Sequence, residues 1–397
     1  MKILLVHNSY QHPGGEDVVV NQEHHLLERA GHRVVTYRRT NHEILERSAL
    51  GRPALLKQIV WATDTRREVA KLLLQEKPDL VHAHNTFMMV SPSLFSACKE
   101  ACVPVVQTLH NYRFLCPAAT FFREGKVCEE CVQHGVWRGV RFGCYRESRP
   151  ATAAVALMLA VHRGLGTWTK MVDCYIALTE FARQKFVTGG LPPDRVRVKP
   201  NFVQPDPGPR DGIGHYALFA GRLSSEKGLR SLFAAWKRLH SCIPLLIVGD
   251  GPLRAELESE AERLGLSRIH FQGRLTREQT LAAMQKARFL LYPSECYESF
   301  PMSIAEAFAC GTPVICSQLG AMQEIVEDRR TGLHFEPGDA EDLAQKVEWA
   351  WAHPCQMADL GKEARREFEN KYTAEKNYLA LMDIYRRALA NSYATST

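Results

Sequence analysis

The sequence has no apolar run long enough to span a bilayer, which takes about 20 residues. The opening stretch MKILLVHNSY breaks off at His7-Asn8, too short for the apolar core of a signal peptide, so export is not expected. There is no internal repeat and no low-complexity tract, which argues against solenoids and flexible arrays. The only glycine pair opening a helix-like segment near the N-terminus, Gly14-Gly15, is not a Gly-x-Gly-x-x-Gly, and this speaks against a nicotinamide enzyme. Charge of one sign is also scarce: the net +6 over 397 residues is mild and unclustered. That suits an anionic substrate or a membrane surface and not a nucleic acid. Cysteine, by contrast, is plentiful at 12. Without an export signal most of these read as reduced core thiols of a cytoplasmic protein.

What is present is a globular composition, 45% hydrophobic and 24% charged, on a chain too long for one core. Short Val/Ile/Leu runs alternate with helical patterns nearly throughout. KILLVHNS, HRVVTY, DLVHAH, PVVQTLH, DCYIALT and RVRVKP are the predicted strands of the first half. YALFAGRL, PLLIVGDG, IHFQGRL, RFLLYPS, PVICSQ and GLHFEP are those of the second. Runs without strict alternation mark strands buried on both faces of a parallel sheet. The segment EDVVVNQEHHLLERAG reads as a helix stopped at Gly31. The fold class is therefore α/β, with two doubly wound, Rossmann-like domains. Their break falls in the Pro- and Gly-rich stretch 200–216. The predicted boundaries are 1–203, 204–372 and a C-terminal helical segment, 373–397, returning to the first domain.

In such folds ligands sit at the carboxyl ends of the strands. Gly14 and Gly15 open a helix where backbone N–H groups can meet an anion, or they are simply a turn. His110 ends a strand and can donate to a hydroxyl or exchange a proton, or it caps the strand end. His82 and His84 share one face of a strand, but the sequence shows no third metal ligand near them, and packing is the simpler reading. Arg222 and Lys227, in AGRLSSEKG, place two cations on a short loop suited to a diphosphate, or form a solvated basic loop. Gly249 closes a strand and allows close ligand approach. In ECYESFPMSIAEAF, a helix starting near Pro301 would aim the N–H groups of Met302 and Ser303 out of a strand end. Glu298 precedes that helix and Glu306 lies within it, so the two carboxylates can touch different parts of one ligand; a ribose diol suits a carboxylate. Two solvated glutamates are the plain alternative.

This stretch, with FAGRLSSEKG, VGDGP and FQGRL, resembles the retaining glycosyltransferases of the GT-B fold, family four, across the whole second half. PGGE, LVHAHN and TLHNYR extend the likeness loosely into the first. The resemblance implies two domains facing across a cleft, an acceptor domain followed by a nucleotide-sugar domain, with the C-terminal helix crossing back. It implies that Arg222 and Lys227 bind the donor diphosphate, Glu306 the ribose and Glu298 the donor sugar. His110 would hydrogen-bond that sugar, and Gly14-Gly15 would approach the phosphate. Gly249 and the turn Phe300-Pro301-Met302 would complete the nucleotide site. Ser299 and Pro301 depart from the family pattern, where many relatives carry glycines. No Asp-x-Asp occurs, so the leaving diphosphate is expected to be met by cations and a helix end, with no catalytic cofactor. The implied reaction is retaining transfer from a UDP- or GDP-sugar to a glycan or lipid-linked acceptor, in polysaccharide or glycolipid synthesis. An epimerase, a phosphorylase or a non-catalytic nucleotide-sugar-binding subunit of the same fold is the alternative.

Two features stand outside that scheme. The segment 151–171 is apolar and then carries His162, Arg163, Trp168 and Lys170; it reads as a core helix, or as a helix touching a membrane peripherally. Cys116, Cys128, Cys131 and Cys144 lie in a polar loop, 116–144, with one Cys-x-x-Cys flanked at nearly equal distances. A tetrahedral structural zinc is the reading the spacing favours; an iron–sulfur cluster, disulfides and unlinked thiols are the others.

Overall fold

The computed structural model describes residues 1–11, 14–44, 52–240 and 242–394. The last three residues of the predicted C-terminal segment lie outside that range. The chain divides into two compact units. The first comprises Met1–Phe121, Cys128–Pro200 and Asn377–Thr397; the second comprises Asn201–Lys376 with Phe122–Val127.

The first unit is built on a six-stranded parallel sheet, in spatial order Arg33–Thr40, Lys2–Ser9, Leu80–Ala83, Val105–Thr108, Cys174–Ala177, Val196–Val198. The three central strands after Lys2–Ser9 are buried at every position, as their unbroken apolar runs require. The order reverses between Lys2–Ser9 and Leu80–Ala83, which opens a crevice at their carboxyl ends. Helix Ala374–Ala394 belongs to this unit from Asn377 onward, and it sets Tyr385, fully buried, against His82.

The second unit repeats the design. Its six parallel strands run Ile269–Gly273, Leu245–Val248, Tyr216–Ala220, Ala287–Tyr292, Val314–Ser317, Gly332–Phe335. The order reverses between Tyr216–Ala220 and Ala287–Tyr292, the switch point of a nucleotide-binding Rossmann sheet. Its core joins Phe219, Leu232, Phe233, Ile247 and Leu291 to Leu343 and Val347.

The structure departs from the sequence reading in two elements. The segment 151–171 is two helices, Arg149–Gly164 and Thr167–Lys170, where one was expected; the buried His162 and Trp168 agree with the core-helix reading. His162 bonds the Val60 carbonyl at 2.8 Å and Thr167 at 2.9 Å, and it stacks on Trp61. The cysteine loop also holds a two-stranded hairpin, Phe122–Arg123 with Lys126–Val127, too short to leave a period in sequence.

Candidate donor and hydroxyl sites

At the switch point of the second unit, strand Tyr216–Ala220 leads through Gly221 and an exposed Arg222 into a short 3-10 turn, Ser225–Lys227. Gly228 ends that turn with φ 67, and a Cβ there would collide with the carbonyl of Pro293. Only glycine lets the turn pack this closely on the neighbouring strand end. The Lys227 ammonium is thereby brought 2.6 Å from the Glu298 carboxylate and 3.3 Å from the Tyr292 hydroxyl. The Ser294 hydroxyl donates to the same carboxylate at 2.8 Å. Burial would lower the Lys227 ammonium, but the charge of Glu298, with Tyr292 and Cys296, outweighs it and holds Lys227 well above its usual value. Burial would raise Glu298, and Lys227 overrides it in the other direction. The sequence reading gave these two residues separate partners; the fold joins them in one ion pair.

Helix Met302–Ala309 starts beside this pair, and the Ser303 hydroxyl bonds the Ala220 carbonyl at 3.1 Å. Pro301 is the residue before the helix, not its first turn. Its fixed φ of −75 still prepares the helix entry. Phe300 is buried edge-on against Tyr372, so its side chain is a core contact. Glu306, one turn further, accepts from Arg277 at 3.0 Å. Burial raises the Glu306 carboxyl, against the pull of Arg277. Arg277 was not legible as a site residue, because it lies 29 positions away in an ordinary helix start. Gly249, at φ 137, packs on the Gly221 carbonyl so closely that a Cβ cannot fit. Gly249→Ala is expected to cost on the order of 3 kcal/mol, read as a lowered denaturation midpoint.

The first unit places its candidates around a pocket lined by Glu16, His84, His110, Asn111 and Arg113. His110 bonds His84 ring to ring at 2.8 Å. The second nitrogen of His84 stands 3.2 Å from Glu23, in a charge contact that is not aligned as a hydrogen bond. Glu23 is fully buried and paired with Lys199 at 2.7 Å. Burial alone would raise Glu23, but Lys199 first, then His84 and His82, hold it well below the carboxylate range. Burial pulls His84 down to about 3 and holds His110 well below its ordinary value, so both rings are neutral. Beside a carboxylate, His84 keeps its proton on Nε2. Its Nδ1 then accepts from His110 Nε2–H, which leaves His110 Nδ1 as an acceptor. In this tautomer His110 presents an acceptor nitrogen to the pocket.

Glu23, His82 and His84 also bring three ligand atoms within 4.8 Å of one another, so the fold supplies the third ligand the sequence lacked. His82 is already engaged on both nitrogens, by Tyr385 at 2.7 Å and Thr108 at 2.8 Å. With a lysine also seated on Glu23, this is a structural network.

Gly14 and Gly15 are exposed at the start of helix Gly15–Arg29. The Gly14 N–H is taken by Asp17 at 2.9 Å, which in turn bonds His7. An anion arriving there meets Glu16 and Asp17 in the first turn. Burial, with Asp17 adding to it, pushes Glu16 up to about 8, against Arg113 and Asn111. Near neutral pH Glu16 is therefore a protonated donor beside the acceptor His110. A carboxyl raised on folding adds stability that is complete below the ordinary carboxylate range and is lost as pH rises through about 8. Melting temperature is expected to fall from pH 5 to 9 on this account, and Glu16→Gln should flatten that limb.

Two parallel Rossmann-like sheets with such strand ends define the GT-B class. The model of the glycosyltransferase family 4 matches residues 13–207, and that of glycosyl transferases group 1 matches 206–367. The 2-deoxystreptamine glucosyltransferase of Streptomyces kanamyceticus is 31% identical over 72% of this chain and 72% of its own length. The D-rhamnosyltransferase WbpZ of Pseudomonas aeruginosa is 33% identical over 42% of this chain; the chain spans about half of that relative, 44%. The structure of Anabaena HepE in complex with UDP superposes with a TM-score of 0.69 at 19% identity, covering 96% of this chain and 99% of that one. The chain belongs to glycosyltransferase family 4, the group 1 glycosyltransferases, and has the GT-B fold. Among the described residues no helix is long and apolar enough to cross a membrane.

Proposed function

We propose that the chain transfers a sugar, with retention of configuration, from a nucleoside-diphosphate sugar to a glycan or lipid-linked acceptor, without a catalytic metal. The observation that carries this is the Lys227–Glu298 pair at the switch point of the second unit, beside the start of helix Met302–Ala309. Lys227 and Arg222 would neutralise the departing diphosphate, and the helix end adds backbone donors. Glu298 would orient the sugar, Glu306 with Arg277 the ribose. Both carboxylates are ion-paired, so neither is a ready general base. The leaving phosphate oxygen would take the acceptor hydroxyl's proton as the new glycosidic bond forms on the same face of the sugar. In the first unit, His110 and Glu16 offer an acceptor and a donor to sugar hydroxyls. The names of the relatives support transfer chemistry, and the UDP bound to HepE supports a uridine donor ahead of a guanosine one. A cytoplasmic site of action, with peripheral contact to a membrane holding the acceptor, fits this role.

The test is a panel of UDP- and GDP-sugars with and without candidate acceptors, followed by nucleotide release and product NMR. Acceptor-dependent release with an unchanged anomeric configuration is expected. An isomerised nucleotide sugar without acceptor would make it an epimerase; dependence on inorganic phosphate would make it a phosphorylase. Binding without turnover across the panel would reduce it to a binding subunit.

A further inference from the structure

The glycosyltransfer scheme uses none of the four cysteines of segment 116–144, yet the fold gathers them. The segment is made of pieces with little structure of their own: a hairpin of two-residue strands and two short helices, Glu130–His134 and Trp137–Phe142. Ala119, Phe121 and Glu124 stand at positive φ, a conformation that non-glycine residues hold only when something else fixes the chain. Gly139, in helix Trp137–Phe142, packs against the chain beside two of the cysteines. A Cβ there would lie 3.2 Å from Pro117, next to Cys116, and 3.4 Å from the Cys131 sulfur. The carbonyl of Gly139 accepts from the Cys144 N–H at 3.1 Å. The Cys128 N–H is fixed on Phe121 at 2.7 Å, three residues before Cys131. The turns of the segment thus bring the chain at Cys116, Cys131 and Cys144 to Gly139, with Cys128 three residues before Cys131.

We propose that Cys116, Cys128, Cys131 and Cys144 bind one Zn²⁺ as a closed tetrathiolate that holds segment 116–144 in shape. Binding exchanges four S–H protons for four Zn–S bonds, with no change of oxidation state. The site carries two net negative charges, and the cationic Arg163 bonds the Phe114 carbonyl at 3.0 Å, two residues before Cys116. A zinc tetrathiolate has sulfur–sulfur edges of about 3.8 Å, from Zn–S bonds near 2.3 Å. Among the described residues no three of these sulfurs lie within 4.8 Å of one another, so the proposed site requires the thiols to move inward on binding the ion. All four are free of disulfides. A closed site has no open position for substrate, which makes the zinc structural and leaves the transfer chemistry elsewhere.

The test is metal analysis of protein purified without added metal and dialysed against EDTA. One zinc per chain is expected. Replacing Cys128→Ser and Cys131→Ser together should bring it below about a tenth. A control with Cys102→Ser, Cys242→Ser and Cys355→Ser, all exposed cysteines outside the segment, should keep it. If the double variant fails to fold, cobalt exchange into the wild-type protein decides: tetrahedral bands with strong thiolate-to-cobalt absorption support four sulfur ligands. Native protein with less than a tenth of a metal per chain overturns the proposal, and so does an iron–sulfur chromophore. Zinc retained by the double variant, or a cobalt spectrum lacking the thiolate bands, moves the metal to Glu23, His82 and His84 and overturns it as well.

Discussion

Lys227→Ala is expected to lower sugar transfer about 10²–10³-fold, mainly in kcat, with the fold retained. The ammonium stands in the loop at the switch point, where it can meet charge developing on a departing diphosphate, and its environment keeps it protonated. The substitution also strips Glu298 of its partner, which is mostly buried, so part of the loss could come from local destabilisation. The double variant Lys227→Ala/Glu298→Ala separates the two effects. Its thermal stability should recover toward wild type because no unpaired charge remains, while its turnover stays low. Recovery of turnover in the double variant would mean that Lys227 serves only to hold Glu298.

The second large effect is on stability. Glu23→Ala leaves the Lys199 ammonium, which is 1% exposed, without its carboxylate. Removing one partner of a buried ion pair costs roughly 3–5 kcal/mol, far more than the pair itself contributes. A denaturation midpoint should fall accordingly, and the chain may be compared with Glu23→Leu/Lys199→Met, which buries no charge and should regain most of the loss. Glu23→Gln in place of alanine retains shape and a hydrogen-bond acceptor and should cost less. Because Glu23 faces His84 and His84 bonds His110, the glutamine variant should also weaken sugar-hydroxyl recognition, seen as a raised KM for the nucleotide sugar.

Much of this was legible before the structure. Each of the twelve strands of the two sheets overlaps a run read from the sequence, most plainly the inner strands, whose burial on both faces leaves an apolar run. Strand-end residues such as Lys227, Glu298 and His110 were legible for the same reason: once the strands are placed, their carboxyl ends are known. The pairings were not. Arg277 meets Glu306 across 29 residues and Lys199 meets Glu23 across 176, and no local pattern encodes either. The hydrogen-bond partner of His110 is His84, 26 residues away, and no local pattern encodes that pairing either. Gly14-Gly15 looked like an anion cradle, but the carboxylate three residues on occupies it. Phe300, read as a nucleotide contact, is held in the core by Tyr372, a residue far along the chain.

The central claim is that the second unit binds a nucleoside diphosphate through Lys227 and Glu306. Calorimetric titration of the purified protein with UDP and with GDP addresses it directly. One of the two should bind at one site per chain, with affinity reduced at least tenfold in Lys227→Ala and in Glu306→Ala and unchanged in Glu16→Gln. Failure of both nucleotides to bind, or equal binding by wild type and the two site variants, would contradict it.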